Sequence, residues 1–161
     1  MNFRVTSPYL DSKPDPRAPG TPAGITEPMI RDLVHAFYTN VRHDAVLGPI
    51  FEAEIEDWPA HLETMCAFWS SVTLMSGRYK GQPMLAHAKI PDISRSHFAR
   101  WLVLFRDTAS EICPADAADL FIDRAERIAQ SLQMGIALHR SSANHQSGED
   151  ERFMMPKEKV T

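Results

Sequence analysis

Residues 29–41 read MIRDLVHAFYTNV, and their apolar side chains recur at intervals of three and four residues. The apolar positions are Met29, Ile30, Leu33, Val34, Phe37, Tyr38 and Val41. This spacing matches the turn of an α-helix, about 3.6 residues, so the segment predicts an amphipathic helix with one buried face. Thr26 is a suitable N-cap residue for this helix, and Pro28 fits its first turn.

The helical period recurs along the rest of the chain. One further apolar face contains His61, Leu62, Met65, Phe68, Trp69 and Val72. Another begins after the possible cap Ser94 and contains Phe98, Trp101, Leu102, Phe105 and Ile112; a last one follows Pro114 and contains Phe121, Ile128, Leu132 and Ile136. Between them lie the connector DAVLGPIF (44–51), the loop MSGRYKGQ (75–82) and a short helical segment, PMLAHAK (83–89), closed by Pro91. No stretch alternates with a period of two, so the predicted fold class is all-α.

Composition divides the chain into a folded unit and two extensions. Residues 1–27 are rich in proline, which removes backbone donors, so this extension is expected to be disordered coil. Residues 140–161 are mostly polar and are expected to form a second disordered tail. The predicted domain is therefore 28–139.

Charge and cysteine content exclude several classes of protein. With 17 Lys and Arg against 21 Asp and Glu, the net charge of −4 provides no basic face for a nucleic acid. No apolar run reaches the roughly 20 residues that span a bilayer, and the amino terminus lacks a secretory pattern, so the expected compartment is the cytoplasm. The two cysteines form no CxxC or CxxCH motif, which excludes a disulfide scaffold and covalently attached haem.

Two of the seven histidines have apolar surroundings. His61 lies on the face of Met65 and Phe68, and His87 lies in the short segment between Pro83 and Pro91. For His61, the structural alternative is a core histidine that is hydrogen-bonded to a backbone carbonyl. For His87, it is a surface histidine on a connector. No inward Glu-x-x-His pair and no zinc-like set of ligands is found. A single histidine can still hold haem iron, because the macrocycle supplies four further ligands.

Several blocks of sequence together resemble the truncated haemoglobins, and in particular their third group. These blocks are FYTNVRHDAVLGPIF (37–51), DWPAHLETMCAFWSSV (57–72), GRYKGQPMLAHAKIP (77–91), HFARWLVLF (97–105) and RAERIAQSL (124–132). Ser70 and Ser71 stand where the first two groups usually have a Gly-Gly pair. The resemblance spans about residues 28–136, and it implies a two-over-two helical sandwich that binds haem b non-covalently.

The resemblance also implies roles for individual residues. His87, and not His97, matches the proximal iron ligand, while Tyr38, His61 and Trp101 match the residues that face the bound ligand. The further haem contacts that it implies are Phe51, Met65, Phe68, Trp69, Ile90 and Ile93, with Arg78, Tyr79 and Lys89 as candidate partners of the propionates.

The implied function is reversible binding of O2 and other diatomic ligands such as CO and NO at the haem iron. The resemblance leaves two points undecided: whether the protein has redox or peroxidase-like activity, and whether a reductase is its partner. The chain is therefore not assigned as an enzyme. His61 has three open roles: gating the access of ligand, donating to it, or acting as an acid–base group. The alternative from another class is a haem-free helical domain that senses a ligand or binds a protein, without nucleic-acid or membrane partners.

Overall fold

The computed structural model describes residues 15–153, apart from the side chains of Leu85 and of residues 146–153. The helices are α1 (Glu27–His43), α2 (Leu47–Glu54), α3 (Trp58–Leu74), α4 (Pro83–Ala88), α5 (Arg95–Ile112) and α6 (Ala115–Phe153). Residues 15–153 contain no strand, so the all-α prediction is confirmed for them. None of these helices is both long and apolar enough to cross a bilayer.

The helices pack as two pairs. α1 packs on α3, α5 packs on α6, and α1 against α5 joins the pairs, whereas the short α4 packs on α6. Aromatic rings fill the centre: Trp69 stacks on Phe105 with a centroid separation of 5.0 Å, and Trp101 stacks on the same ring at 5.4 Å. The predicted two-over-two arrangement is confirmed, and its core combines these rings with aliphatic side chains such as Ile30, Leu33 and Val34.

Local sequence explains where the long helices begin. The hydroxyl of Thr26 accepts a hydrogen bond from the backbone N–H of Met29, as predicted for the start of α1. The carboxylate of Asp57 accepts the N–H of Ala60 and caps α3 in the same way. Ser94 is the N-cap residue of α5, as predicted.

The prediction that residues 44–51 are a connector is wrong, because most of them belong to α2. Pro49 stands in the first turn, where a backbone N–H has no intrahelical partner to lose. Gly48 lies against the end of α1, and a Cβ there would come 2.7 Å from the carbonyl oxygen of Arg42. An eight-residue helix with glycine and proline shows too few turns for its period to be visible in the sequence.

Turns and helix continue beyond residues 28–139 at both ends of the described chain. Residues 15–24 form turns, but Ala18 is buried and the N–H of Gly20 donates to the carbonyl of Thr73 at 2.8 Å. At the other end α6 continues to Phe153, well past the predicted limit at residue 139, with exposed side chains from 137 to 145. The predictions for residues 1–14 and 154–161 lie outside the described residues.

One residue of the predicted apolar faces is misplaced. Ile112 is 41% exposed, because it is the last residue of α5 and the chain turns there, so that the next residue, Cys113, takes the buried position.

Candidate functional site

A cavity of about 360 Å³ lies between the two helix pairs. Its volume falls within the range of roughly 300–1,000 Å³ that is usual for small-molecule sites. All six helices contribute to its wall, which is mainly apolar. The sequence-predicted residues that line it are Tyr38, Phe51, His61, Met65, Phe68, Trp69, Tyr79, His87, Ile90, Ile93 and Trp101.

Two of the predicted contacts, Arg78 and Lys89, are not among the lining residues. A guanidinium nitrogen of Arg78 donates instead to the carboxylate of Glu27 at 2.8 Å, and each side chain of this ion pair is only 16% exposed. Ser70 donates to the same carboxylate. Lys89 is the exposed C-cap residue of α4. The expected contact of Arg78 and Lys89 with the propionates stays a prediction.

The orientation of the His87 ring is fixed by the backbone. Its Nδ1 atom lies 2.6 Å from the carbonyl oxygen of Pro83, one turn earlier in α4. Because a carbonyl can only accept, Nδ1 must carry the proton, and Nε2 keeps its lone pair in the neutral ring. This is the tautomer that a metal-binding histidine needs, and a backbone carbonyl is a usual partner of its other nitrogen.

His97 lines the same cavity with the opposite tautomer. The backbone N–H of Ser94 donates to its Nδ1 at 3.0 Å, which closes the first turn of α5. A backbone N–H can only donate, so Nδ1 holds the lone pair and Nε2 carries the proton. His97 is therefore occupied as a helix cap and presents a donor rather than a metal ligand.

Tyr38 lies at the centre of a ring cluster on the other side of the cavity. Its ring meets those of His61, Phe51 and Trp58 with centroid separations of 5.1, 5.9 and 6.0 Å. Burial raises the pKa of Tyr38, so the phenol stays protonated. Its hydroxyl makes no hydrogen bond within the described part of the chain, which leaves a donor available to a ligand.

The Nε2 of His61 is almost completely enclosed and has no hydrogen-bond partner among the described residues. Burial lowers the pKa of His61 below its ordinary value of 6.5, which favours the neutral ring near pH 7. An unsatisfied buried group costs roughly 1–3 kcal/mol. Such a cost indicates that a partner for this nitrogen is supplied from the cavity.

Trp101 contributes its indole to the cavity wall from α5. The ring is fixed by stacking on Phe105 and by an edge contact with Phe37, whose centroid is 5.5 Å away. Its N–H has no hydrogen-bond partner among residues 15–153, so a second neutral donor is held in a rigid position.

Trp58 is a part of the site that sequence reasoning did not identify. Its indole packs edge-on against His61 at 5.7 Å, donates to Glu52 at 3.3 Å, and lies 4.4 Å from the guanidinium of Arg42. A tryptophan in the first turn of the His61 helix was the available signal.

Other lining residues were also missed. Ile50 and Ile55 were missed because α2 was predicted as a connector, whereas Ile128 and Leu132 of α6 were predicted only as core.

The donor set restricts what the cavity can hold. Among the side chains that the structure describes, no three from His, Cys, Asp or Glu converge on a metal position. One imidazole lone pair in an apolar cavity, with an unsatisfied histidine nitrogen and two neutral donors, fits a metal whose other ligands come from a macrocycle. The arrangement and the two helix pairs define a globin of the short, two-over-two class.

Comparisons with known proteins agree with this class. No protein-family model matches the chain. The group 3 truncated haemoglobin ctb of Campylobacter jejuni is 33% identical over 113 residues, which are 68% of this chain and 89% of that protein. The crystal structure of group III truncated haemoglobin from Campylobacter jejuni superposes with a TM-score of 0.67 at 32% identity, covering 70% of this chain and 91% of the other.

A more distant structure shares the fold. The group II truncated haemoglobin from Bacillus anthracis gives a TM-score of 0.57 at 24% identity over 74% of this chain and 90% of its own. The sequence and structural matches to the Campylobacter protein are sufficient to place the chain: it belongs to the group III truncated haemoglobins.

Proposed function

We propose that the chain binds haem b non-covalently in this cavity, with His87 as its single protein ligand, and that it reversibly binds O2 and other diatomic gases on the Tyr38 side. The observation that carries the proposal is the hydrogen bond of His87 Nδ1 to Pro83, since it leaves Nε2 as a metal-binding lone pair. When bound, the haem supplies the iron atom at which such gases associate and dissociate.

The surroundings of His87 orient its ring and raise the basicity of the nitrogen that would bind iron. The Pro83 carbonyl holds the ring by its Nδ1–H and makes Nε2 more basic, as such outer partners do in other metal sites. Proline at the first position of α4 supplies this acceptor without leaving a backbone N–H unsatisfied.

Tyr38 and Trp101 stabilise the gas ligand. The neutral O–H and N–H donors, held in a dry cavity, would favour a ligand atom that carries partial negative charge. A hydrogen bond to a charged group contributes roughly 1.5–3 kcal/mol. Both rings are fixed by aromatic neighbours, so little ordering is needed when the ligand arrives.

His61 adds a group that exchanges protons. Its buried, partnerless Nε2 is the observation that favours a second function, the cleavage of peroxide. A neutral imidazole is able to take a proton from one peroxide oxygen and deliver it to the other. The electrons for turnover would come from a reductase partner.

Titration of the purified protein with haemin tests the proposal. We expect one haemin per chain, an intense Soret band, a shift of that band on reduction with dithionite, and a second shift with CO. Absence of a Soret band at stoichiometric haemin would overturn the proposal and favour a haem-free helical domain that senses a ligand or binds a protein.

A further inference from the structure

Haem carries two propionate carboxylates, and the described wall of the cavity offers them no cation. Neither lysine nor arginine is among the lining residues. Arg78 is paired with Glu27, and Lys89 is an exposed residue at the end of α4. The lining residues therefore offer the carboxylates neutral donors only.

Few donors of the wall remain for this task. The hydroxyl of Thr64 donates to the carbonyl of Ala60, and the Nδ1–H of His87 donates to Pro83. The donors Tyr38 and Trp101 belong to the gas-binding side, and Glu54 lines the wall as an acid. Apart from the ring of His61 and the indole of Trp69, which stacks on Phe105 in the core, this leaves the hydroxyl of Tyr79, already expected from the sequence, and the Nε2–H of His97.

His97 is built to present that donor. Its Nδ1 is fixed by the N–H of Ser94, so the proton is forced onto Nε2, and Nε2 has no partner among the described residues. The ring is half-buried and lines the cavity together with its neighbours Ile93 and Phe98. We propose that the Nε2–H of His97 donates a hydrogen bond to a propionate of the haem, an inference that rests on the proposed function.

Replacing His97 by glutamate separates this role from helix capping. Glutamate at the third position of a helix after a serine cap accepts the same backbone N–H, so α5 is expected to form normally. The substitution removes the donor and adds a negative charge beside the carboxylate. His97→Gln is the matched variant, since an amide supplies both an acceptor for Ser94 and an N–H donor.

The measurement is the rate at which haemin leaves the ferric protein for an excess of an acceptor protein. We expect His97→Glu to release haemin roughly tenfold faster or more than wild type, as the loss of a charge-assisted hydrogen bond implies. His97→Gln is expected to stay within about threefold of wild type. With haemin dimethyl ester, which has no carboxylate, wild type and His97→Glu are expected to release at rates within about twofold.

The outcomes distinguish this inference from the function on which it rests. A wild-type protein that takes up no haemin would contradict the proposed function. Normal haemin uptake combined with equal release by wild type and His97→Glu would overturn the role of His97 alone. Haemin and its dimethyl ester are also compared in the wild-type protein. Equal rates of dissociation for the two would overturn the role of His97.

Discussion

The two sides of the cavity differ in whether their polar atoms have hydrogen-bond partners within the protein. On the α4 side, His87 has one ring nitrogen bonded to the Pro83 carbonyl, and this bond orients the other nitrogen in advance. On the α1 and α3 side, the Tyr38 hydroxyl and His61 Nε2 have no hydrogen-bond partner within the described residues. In the proposed function, the bonded ring of His87 holds the cofactor, and the unsatisfied atoms of Tyr38 and His61 contact its gas ligand.

His97 extends the comparison within one side of the cavity. It lies ten residues after His87 and lines the same wall, yet a backbone donor instead of a backbone acceptor faces its Nδ1. Identical side chains thus acquire opposite tautomers from the local backbone. The role of a histidine in this site is determined by the partner of its second nitrogen.

The largest expected effect concerns the α4 side. His87→Gly removes the only proposed protein ligand, so we expect the Soret band to be lost or strongly weakened. Added imidazole fills the vacated space and is expected to restore a histidine-like spectrum in this variant. Absorption spectroscopy during imidazole titration checks this, and wild-type haemin affinity in the variant without imidazole would contradict the assignment.

The next effect concerns the opposite side. Tyr38→Phe removes one hydroxyl donor and leaves the ring packing in place, so haem uptake is expected to be unchanged. O2 release is expected to accelerate about ten- to a hundredfold, because a hydrogen bond to a partly anionic ligand is lost. Stopped-flow mixing of the O2 complex with CO gives the rate, and a value within twofold of wild type would refute the donor role of Tyr38.

Trp101→Leu tests the second donor on the gas-binding side. The indole N–H is the second neutral donor, so its loss is expected to speed O2 release by about tenfold. CO carries less charge than O2, so its release is expected to change less. Equal acceleration of both gases would indicate that Trp101 acts through packing on Phe105 instead.

A smaller effect concerns the segment that leads from α3 to α4. Glu27→Gln removes the carboxylate that pairs with Arg78 in a mostly buried position, with an expected loss of about 1–2 kcal/mol in the free energy of unfolding. Glu63→Gln is the matched control, because the Arg31–Glu63 pair is exposed and its loss should cost well below about 1 kcal/mol. Urea unfolding of the haem-free proteins measures both. Equal losses would show that the Glu27 pair is no more than a surface contact.

The smallest effect depends on pH. The pKa of His61 in the folded protein is below its ordinary value of 6.5, so the unfolded chain binds the proton more readily. Stability of the haem-free protein should therefore fall as the pH drops below about 6.5, and His61→Leu should remove part of that fall. We expect a contribution below about 1 kcal/mol in denaturant midpoints measured at several pH values. His139→Gln, at an exposed position, is the control. An identical acid profile for His61→Leu and wild type would contradict a depressed pKa.

The sequence was sufficient to predict the long helices and most of the residues that line the cavity. The faces of α1 and α3 repeat over enough turns to be recognised, so Tyr38, Met65 and Trp69 could be assigned as inward. The period of α2 was hidden by its length and by Gly48 and Pro49. The assignment of His87 came from family resemblance, because periodicity does not reveal a tautomer.

Local sequence patterns could not predict contacts between segments that are distant in the chain. Arg78 was expected near the propionates, but its partner Glu27 is 51 residues away and is brought close only when α1 and α3 pack. For the same reason, the sequence showed an apolar stripe on α6 without showing that Ile128 and Leu132 border a cavity.

The most direct test of the account compares the two histidines that share the α4 side. Wild type, His87→Ala and His97→Ala are reconstituted with haemin, and their absorption spectra are recorded in the ferric state, after dithionite and after CO. The account predicts a Soret band with wild-type shifts in His97→Ala and none, or a strongly altered one, in His87→Ala. An intact spectrum in His87→Ala with a lost spectrum in His97→Ala would contradict it.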